Sequence, residues 1–233
     1  MRVALTFDVE HPDRPQCPPG VIDSILDALA AERIRSTFFV QGRWAEAYPT
    51  TGQRLARDGH VVGSHSFYHA RLPVLTDAGL DEDLAQATDA IRTHLGVDPR
   101  PWFRCPFGAG ADDPRVLAAV KRAGFRHVGW DIGVADYETV RTPGEVVAAV
   151  VNGVRARMAE GQETSLVLLH SWPAPTRDGL RPAIEALKAL GASFVAIGEL
   201  PAVLIPAGLA HPEADTCSAL GRTRRSGSGR RVE

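Results

Sequence analysis

Short β-rich apolar runs alternate along the chain with longer stretches whose apolar residues recur every three to four positions. The short runs are Arg2–Phe7, Ser36–Val40, His60–Gly63, Trp102–Arg104, His127–Trp130, Leu166–Leu169 and Ser193–Ala196, each with the length and apolar content of a buried strand. Between the first two, Val21–Arg33 carries Ile22, Ile25, Leu26 and Leu29 at helical spacing, with Pro19 and Gly20 just ahead of it. Leu80–Leu95, Asp113–Ala123, Pro143–Glu160 and Leu180–Leu190 also read as helices, and Gly124 and Gly191 stand just past helix ends, where a left-handed cap favours glycine. Seven strands alternating with helices predict an α/β fold on a parallel sheet, closed as a barrel or doubly wound. In both architectures the chemistry belongs at the carboxyl ends of the strands.

The alternation stops near Pro206. Residues 1–205 are therefore expected to form one domain, long enough to bury a substantial core, and residues 206–233 a tail. Gly221–Glu233 is rich in Ser, Gly and Arg, with five arginines between Arg222 and Arg231, and reads as solvated and disordered. At 44% hydrophobic and 23% charged residues the composition is that of a soluble globular protein. A formal net charge of −2 gives no global attraction to nucleic acid or to a membrane surface. Cys17, Cys105 and Cys217 are too few and too scattered for a disulfide framework, and no CxxC pair marks a structural zinc site. The opening MRVALTFDVE reaches acidic residues before any signal-peptide apolar region forms. No window approaches the roughly 20 apolar residues of a membrane span. The sequence as written thus reads as cytoplasmic, and as extracytoplasmic if its N-terminus is incomplete.

Five polar clusters fall at predicted strand ends. Thr6-Phe7-Asp8-Val9-Glu10-His11 follows the first strand and offers two carboxylates for a base and a metal ligand. In Gly63-Ser64-His65-Ser66-Phe67-Tyr68-His69 the histidines are four apart, a spacing that a helical turn would turn to one side to grip an ion. Phe103-Arg104-Cys105-Pro106-Phe107-Gly108 places an arginine where it can orient a carboxylate, on a Pro/Gly loop shaped as a groove wall. Trp130 and Asp136 follow the fifth strand, and His170 ends the run Leu168-Leu169-His170, a general-acid candidate. Each cluster alone is as well explained by an ordinary turn, a surface ion pair or a structural histidine. Their common position at carboxyl strand ends is what argues for a site.

In this order the clusters TFDVE, HSFYH, RCPFG, Trp130 with Asp136, and LLH resemble the polysaccharide deacetylase family of carbohydrate esterases, the NodB-homology domain, over roughly Arg2–Val203. The resemblance implies a distorted seven-stranded (β/α) barrel and a metal-dependent amide hydrolase that removes N-acetyl groups from a saccharide such as peptidoglycan or a chitin-type oligosaccharide. It implies Asp8 as general base oriented by Arg104, His170 as general acid tuned by Asp136, and His65 and His69 as ligands of a divalent ion, zinc or else cobalt, nickel or manganese. Trp130 and Leu168 are expected to line the acetyl pocket, and Phe107 to contact substrate. The family's adjacent aspartates are interrupted here by Val9, which cannot bind metal, so the metal carboxylate is assigned to Glu10; Asp8 and Glu10, two apart on an extended strand, share a face. Two other readings stand beside this one: a metal-independent, allantoinase-like hydrolase of a cyclic ureide or imide on the same scaffold, and an inactive carbohydrate-binding domain.

Overall fold

The computed structural model describes residues 1–10, 17–138, 140–202 and 205–206. His11, the tail from residue 207 onward and Cys217 lie outside the described residues.

Among the described residues eight strands pair in parallel into one sheet: β1 (Arg2–Val9), β2 (Thr37–Val40), β3 (Val61–Ser64), β4 (Trp102–Phe103), β5 (Arg126–His127), β6 (Ile132–Gly133), β7 (Thr164–His170) and β8 (Ser193–Phe194). Seven follow the order β5-β4-β3-β2-β1-β7-β6, and β8 pairs with β1 at Arg2 and Val3. β5 and β6 end this path on opposite sides. In a flat sheet they would lie about 29 Å apart, yet the short link from His127 to Ile132 spans at most about 18 Å. The sheet must therefore curl until its ends approach. The result is a distorted (β/α) barrel with a seam between β5 and β6. At the seam Val128 N–H still bonds the Phe103 carbonyl and Asp131 N–H the Leu166 carbonyl, so the link is held to both flanks without closing the ladder.

The helices are α1 (Val21–Ala31), α2 (Gly42–Ala47), α3 (Pro49–Arg57), α4 (Asp77–Leu95), α5 (Pro114–Arg122), α6 (Pro143–Ala159) and α7 (Ala174–Ala189). Local chemistry explains their ends. Asp113 accepts from the Arg115 and Val116 N–H groups at the start of α5, Thr142 and Glu145 form a reciprocal box at α6, and Gly124 and Gly191 take the left-handed φ of +84° and +77° expected of them. β6, α2 and α3 were not expected from the pattern. β6 is two residues long and carries no period, while Gly42, Pro49 and Gly52 obscure the helical signal after β2. Gly42 is required there, because a Cβ would sit 2.4 Å from the Phe67 ring. No helix among the described residues is long and apolar enough to cross a membrane.

Alternation along the strands separates two cores. Val3, Leu5, Phe7 and Val9 pack outward with Ile25, Leu26, Val150, Val154 and Ile184 of the helices. Ala4 faces the other way, into a cluster with Phe39, Val128, Leu166, Ile197 and Ile205 that fills the barrel. Thr6 and Asp8 follow Ala4 on this inner face, and Leu168 and His170 follow Leu166. Register places Thr6 opposite Leu168 and Asp8 opposite His170, so the carboxyl ends of the two central strands bring an acid and an imidazole side by side above the apolar plug.

Candidate active site

Asp8 is almost fully buried and is gripped from one side. Its Oδ1 accepts from Arg104 Nη1 at 2.8 Å, and its carbonyl accepts from Ser171 N–H. Arg104 has no exposed surface. A guanidinium can sit there because its donors are used: Nε on the Val128 carbonyl at 3.2 Å and Nη2 on that of Gly129 at 3.0 Å. Its flat face lies over the Phe39 ring, 4.1 Å from the centroid. Arg104 thus binds the carbonyls of the seam link and orients Asp8 with the same group.

His65 leaves the end of β3. Its Nδ1 lies 2.9 Å from the Arg104 carbonyl oxygen, so that nitrogen carries the proton and Nε2 is left with its lone pair. His69 is brought alongside by a loop that is not helical. Ser66 and His69 both take positive φ, 63° and 59°, and His69 N–H bonds Ser66 Oγ. The expected helical turn is thereby corrected: the four-residue spacing converges because the loop doubles back, bringing the two rings to 4.9 Å. Asp83 holds the loop in this shape. Its carboxylate, buried on α4, accepts from the Phe67 and Tyr68 N–H groups at 2.9 and 3.1 Å. Burial raises its pKa, against the lowering effect of those two bonds.

Glu10 follows β1 by one residue and, as the two-residue spacing predicts, shares the face of Asp8. Its Oε1 lies 3.0 Å from His69 Nε2, 3.8 Å from His65 Nε2 and 3.6 Å from His170 Nε2. Despite these approaches, the Nε2 atoms of His65 and His69 are buried without a hydrogen bond. The Nε2 atoms of two imidazoles and a carboxylate oxygen therefore converge, with ligating atoms all within 4.8 Å of one another. Ligands at about 2.0–2.2 Å from a tetrahedral zinc ion lie roughly 3.4 Å apart, and the separations here bracket that value. The donor set fits a divalent cation of the zinc type. Burial works to raise the pKa of Glu10, but the charge of His170 foremost holds it well below the usual carboxylate value.

Opposite this cluster stands His170. Its Nδ1 is 2.7 Å from Asp136 Oδ1, and its backbone N–H donates to Asp136 Oδ2 at 2.7 Å. Thr176 Oγ1 donates to the same Oδ2 at 2.5 Å. Burial pushes the His170 pKa down, yet the charges of Asp136, Glu10 and Asp8 outweigh it and hold the ring up at about 9. The imidazole is cationic at neutral pH with Nε2 facing the cleft. The edge of Tyr137 meets the His170 ring at 5.3 Å.

The remaining candidates lie beside these groups. Phe107, half-exposed at φ 58°, packs its ring 4.4 Å from that of His69, with the Arg71 guanidinium 4.6 Å above it. Trp130 is half-buried, 5.7 Å from the Arg104 guanidinium, and Gly108 is packed so closely beneath it that a Cβ would sit 3.2 Å from the indole. Leu168 is buried on the inner face of β7, next to His170 in that row. The structure thus brings Asp8, Glu10, His65, His69, Arg104, Phe107, Trp130, Asp136, Leu168 and His170 to one end of the barrel. Asp83, Thr176 and Trp172, whose indole Nε1–H donates to Glu10 Oε2 at 3.0 Å, were not anticipated. Asp83 was detectable as a carboxylate inside the apolar stripe Leu80, Leu84, Ala87; Thr176 and Trp172 carry no periodic signal.

The family model described as polysaccharide deacetylase matches residues 1–128. The chain is 26% identical over 198 residues to a peptidoglycan-N-acetylmuramic acid deacetylase of Bacillus subtilis, covering 85% of this chain and 70% of that protein. It is 32% identical over 173 residues to a chitooligosaccharide deacetylase of Sinorhizobium fredii, covering 74% and 73%. A family 4 acetyl xylan esterase from Clostridium thermocellum, solved with a cobalt ion, superposes with a TM-score of 0.72 at 26% identity, covering 89% of this chain and 94% of that one.

Proposed function

The chain belongs to the polysaccharide deacetylase family, and from that premise we propose that it is a metal-dependent amidase that removes the acetyl group from an N-acetylated saccharide. The observation that carries this reading is the pairing of two opposed functions in one cleft: the convergence of Glu10, His65 and His69 on a common point, facing His170, whose imidazole is held on Asp136 at 2.7 Å. The two relatives above are a deacetylase of peptidoglycan N-acetylmuramic acid and a deacetylase of chitooligosaccharide, which supports the saccharide as substrate class.

When bound by His65 Nε2, His69 Nε2 and Glu10 Oε1, a divalent ion such as zinc, cobalt, nickel or manganese would supply Lewis acidity toward the acetamide carbonyl and the hydrolytic water. The chain's own residues do the rest. Arg104 occupies Asp8 Oδ1, so Oδ2, 3.5 Å from His65 Nε2, is the oxygen left to take a proton from the attacking water. His170 donates a proton to the departing sugar nitrogen, which would otherwise be a poor leaving group. The Asp136 carboxylate accepts from His170 Nδ1–H and stabilises the imidazolium, whose Nε2–H is the donor. Trp130, Leu168 and Phe107 would bound the acetyl group and the sugar face and exclude water around them.

Acetate release from N-acetylated oligosaccharides tests this directly. Protein dialysed against EDTA should be inactive and should regain turnover with added zinc or cobalt. Undiminished turnover by protein shown to be metal-free by elemental analysis would refute the metal assignment.

A further inference from the structure

Glu10 is a demanding choice of metal ligand. It stands one residue beyond the strand, its side chain has one more rotatable bond than aspartate, and a free glutamate in this position loses rotamer entropy to bind. Either of its oxygens, or both, can ligate. Something must select one oxygen and hold it. Trp172 is placed to do so. Its indole Nε1–H donates to Oε2 at 3.0 Å, leaving Oε1 as the oxygen that meets His69, His65 and His170. The indole is itself held: Trp172 is buried, and Ser171 N–H, one residue earlier, bonds the Asp8 carbonyl. A single short segment after β7 therefore fixes the outer oxygen of Glu10 in the frame of β1.

Resting on the metal assignment above, we propose that Trp172 is a positioning residue for the metal site: it holds Glu10 by Oε2 as a one-oxygen ligand and so sets the affinity of the site. A hydrogen-bond donor behind a ligating carboxylate is worth roughly 10–100-fold in metal affinity. Because the indole also packs, the informative change is Trp172→Phe, which deletes the N–H and keeps an aromatic, though smaller, ring.

The experiment is titration of apo-protein with zinc against a chromophoric chelator, for wild type, Trp172→Phe and Glu10→Gln. Wild type should bind one zinc, Glu10→Gln should lose binding by far more than Trp172→Phe, and Trp172→Phe should bind about 10–100-fold more weakly. The apo-form melting temperature of Trp172→Phe should fall only by the packing cost of the smaller ring, while the zinc-induced rise in melting temperature shrinks as well, a second loss that a merely structural tryptophan would not give. At saturating zinc its KM should match wild type. Affinity within twofold of wild type overturns the role of Trp172 alone; a wild-type protein that takes up no zinc overturns the metal assignment and this inference with it. Should Trp172→Phe not fold, the indole N–H resonances of ¹⁵N-labelled wild type decide: one must move upfield in Glu10→Gln, and no change in any of them overturns the proposal.

Discussion

Arg104→Met would remove the guanidinium bonded to Asp8 while leaving a side chain that fills similar space. The structure sets the size of the effect. Arg104 is fully buried and Asp8 almost so, so the pair at 2.8 Å is desolvated, and removing one partner of a buried pair costs about 3–5 kcal/mol because the other charge is stranded. The carbonyls of Val128 and Gly129 lose their donors as well, at about 1–3 kcal/mol for each that water does not reach. Against a stability of about 5–15 kcal/mol for a domain of this kind, Arg104→Met should be close to unfolding at neutral pH. The charge component can be isolated. Asp8→Asn removes the stranded charge, so the double variant Asp8→Asn/Arg104→Met should be more stable than Arg104→Met alone, with a coupling of about 2–3 kcal/mol in the double-mutant cycle. Urea unfolding followed by far-UV circular dichroism measures all four proteins, provided the slopes with denaturant agree. A loss below about 1 kcal/mol in Arg104→Met, or a coupling below about 0.5 kcal/mol, would show that the buried pair is not what holds this end of the barrel.

Asp136→Asn should move the alkaline limb of the turnover–pH profile down by about 1–3 pH units, because the carboxylate is the foremost charge holding His170 at about 9; a limb that stays in place excludes His170 as the proton donor. His60 accepts from the Ser36 N–H and His127 from that of Cys105, and burial pushes both imidazoles down to about 4. Below about pH 6.5 the unfolded chain takes up these protons before the folded one, so stability should fall with pH at about 1.4 kcal/mol per unit for each, levelling off below about 4 after a loss of roughly 3 kcal/mol apiece. Urea midpoints between pH 7 and 4 read this slope, and His60→Gln, which cannot protonate there, should flatten its share. Asp83→Ala removes the anchor of the loop that carries His69 and should weaken zinc binding about tenfold or more, comparable to loss of a group behind a ligand; zinc affinity equal to wild type would mean that the loop keeps its shape without it.

The repeating strand–helix order, the parallel sheet and the inner face of β1 are legible in the chain itself, because alternation of apolar residues records which side of each strand meets the helices. The same alternation places Asp8 and Glu10 on one face, and the position of each polar cluster at a strand's end points to a common cleft. Nothing local distinguishes a closed barrel from a doubly wound sheet. That was decided by β5 and β6, which lie at opposite ends of the sheet yet are joined by so short a link that the sheet has to curl. Nor does spacing say how His65 and His69 meet. Two left-handed residues and the Asp83 carboxylate from a distant helix set that angle, and a contact between residues far apart in sequence leaves no period to read. The roles of Thr176 and Trp172 are tertiary in the same sense: a hydroxyl on Asp136 and an indole on Glu10 acquire meaning only when the start of α7 is laid against the end of β1. Which residues would carry the proposed chemistry was thus legible along the chain, while how tightly each is held was settled by the packing of segments the chain itself keeps apart.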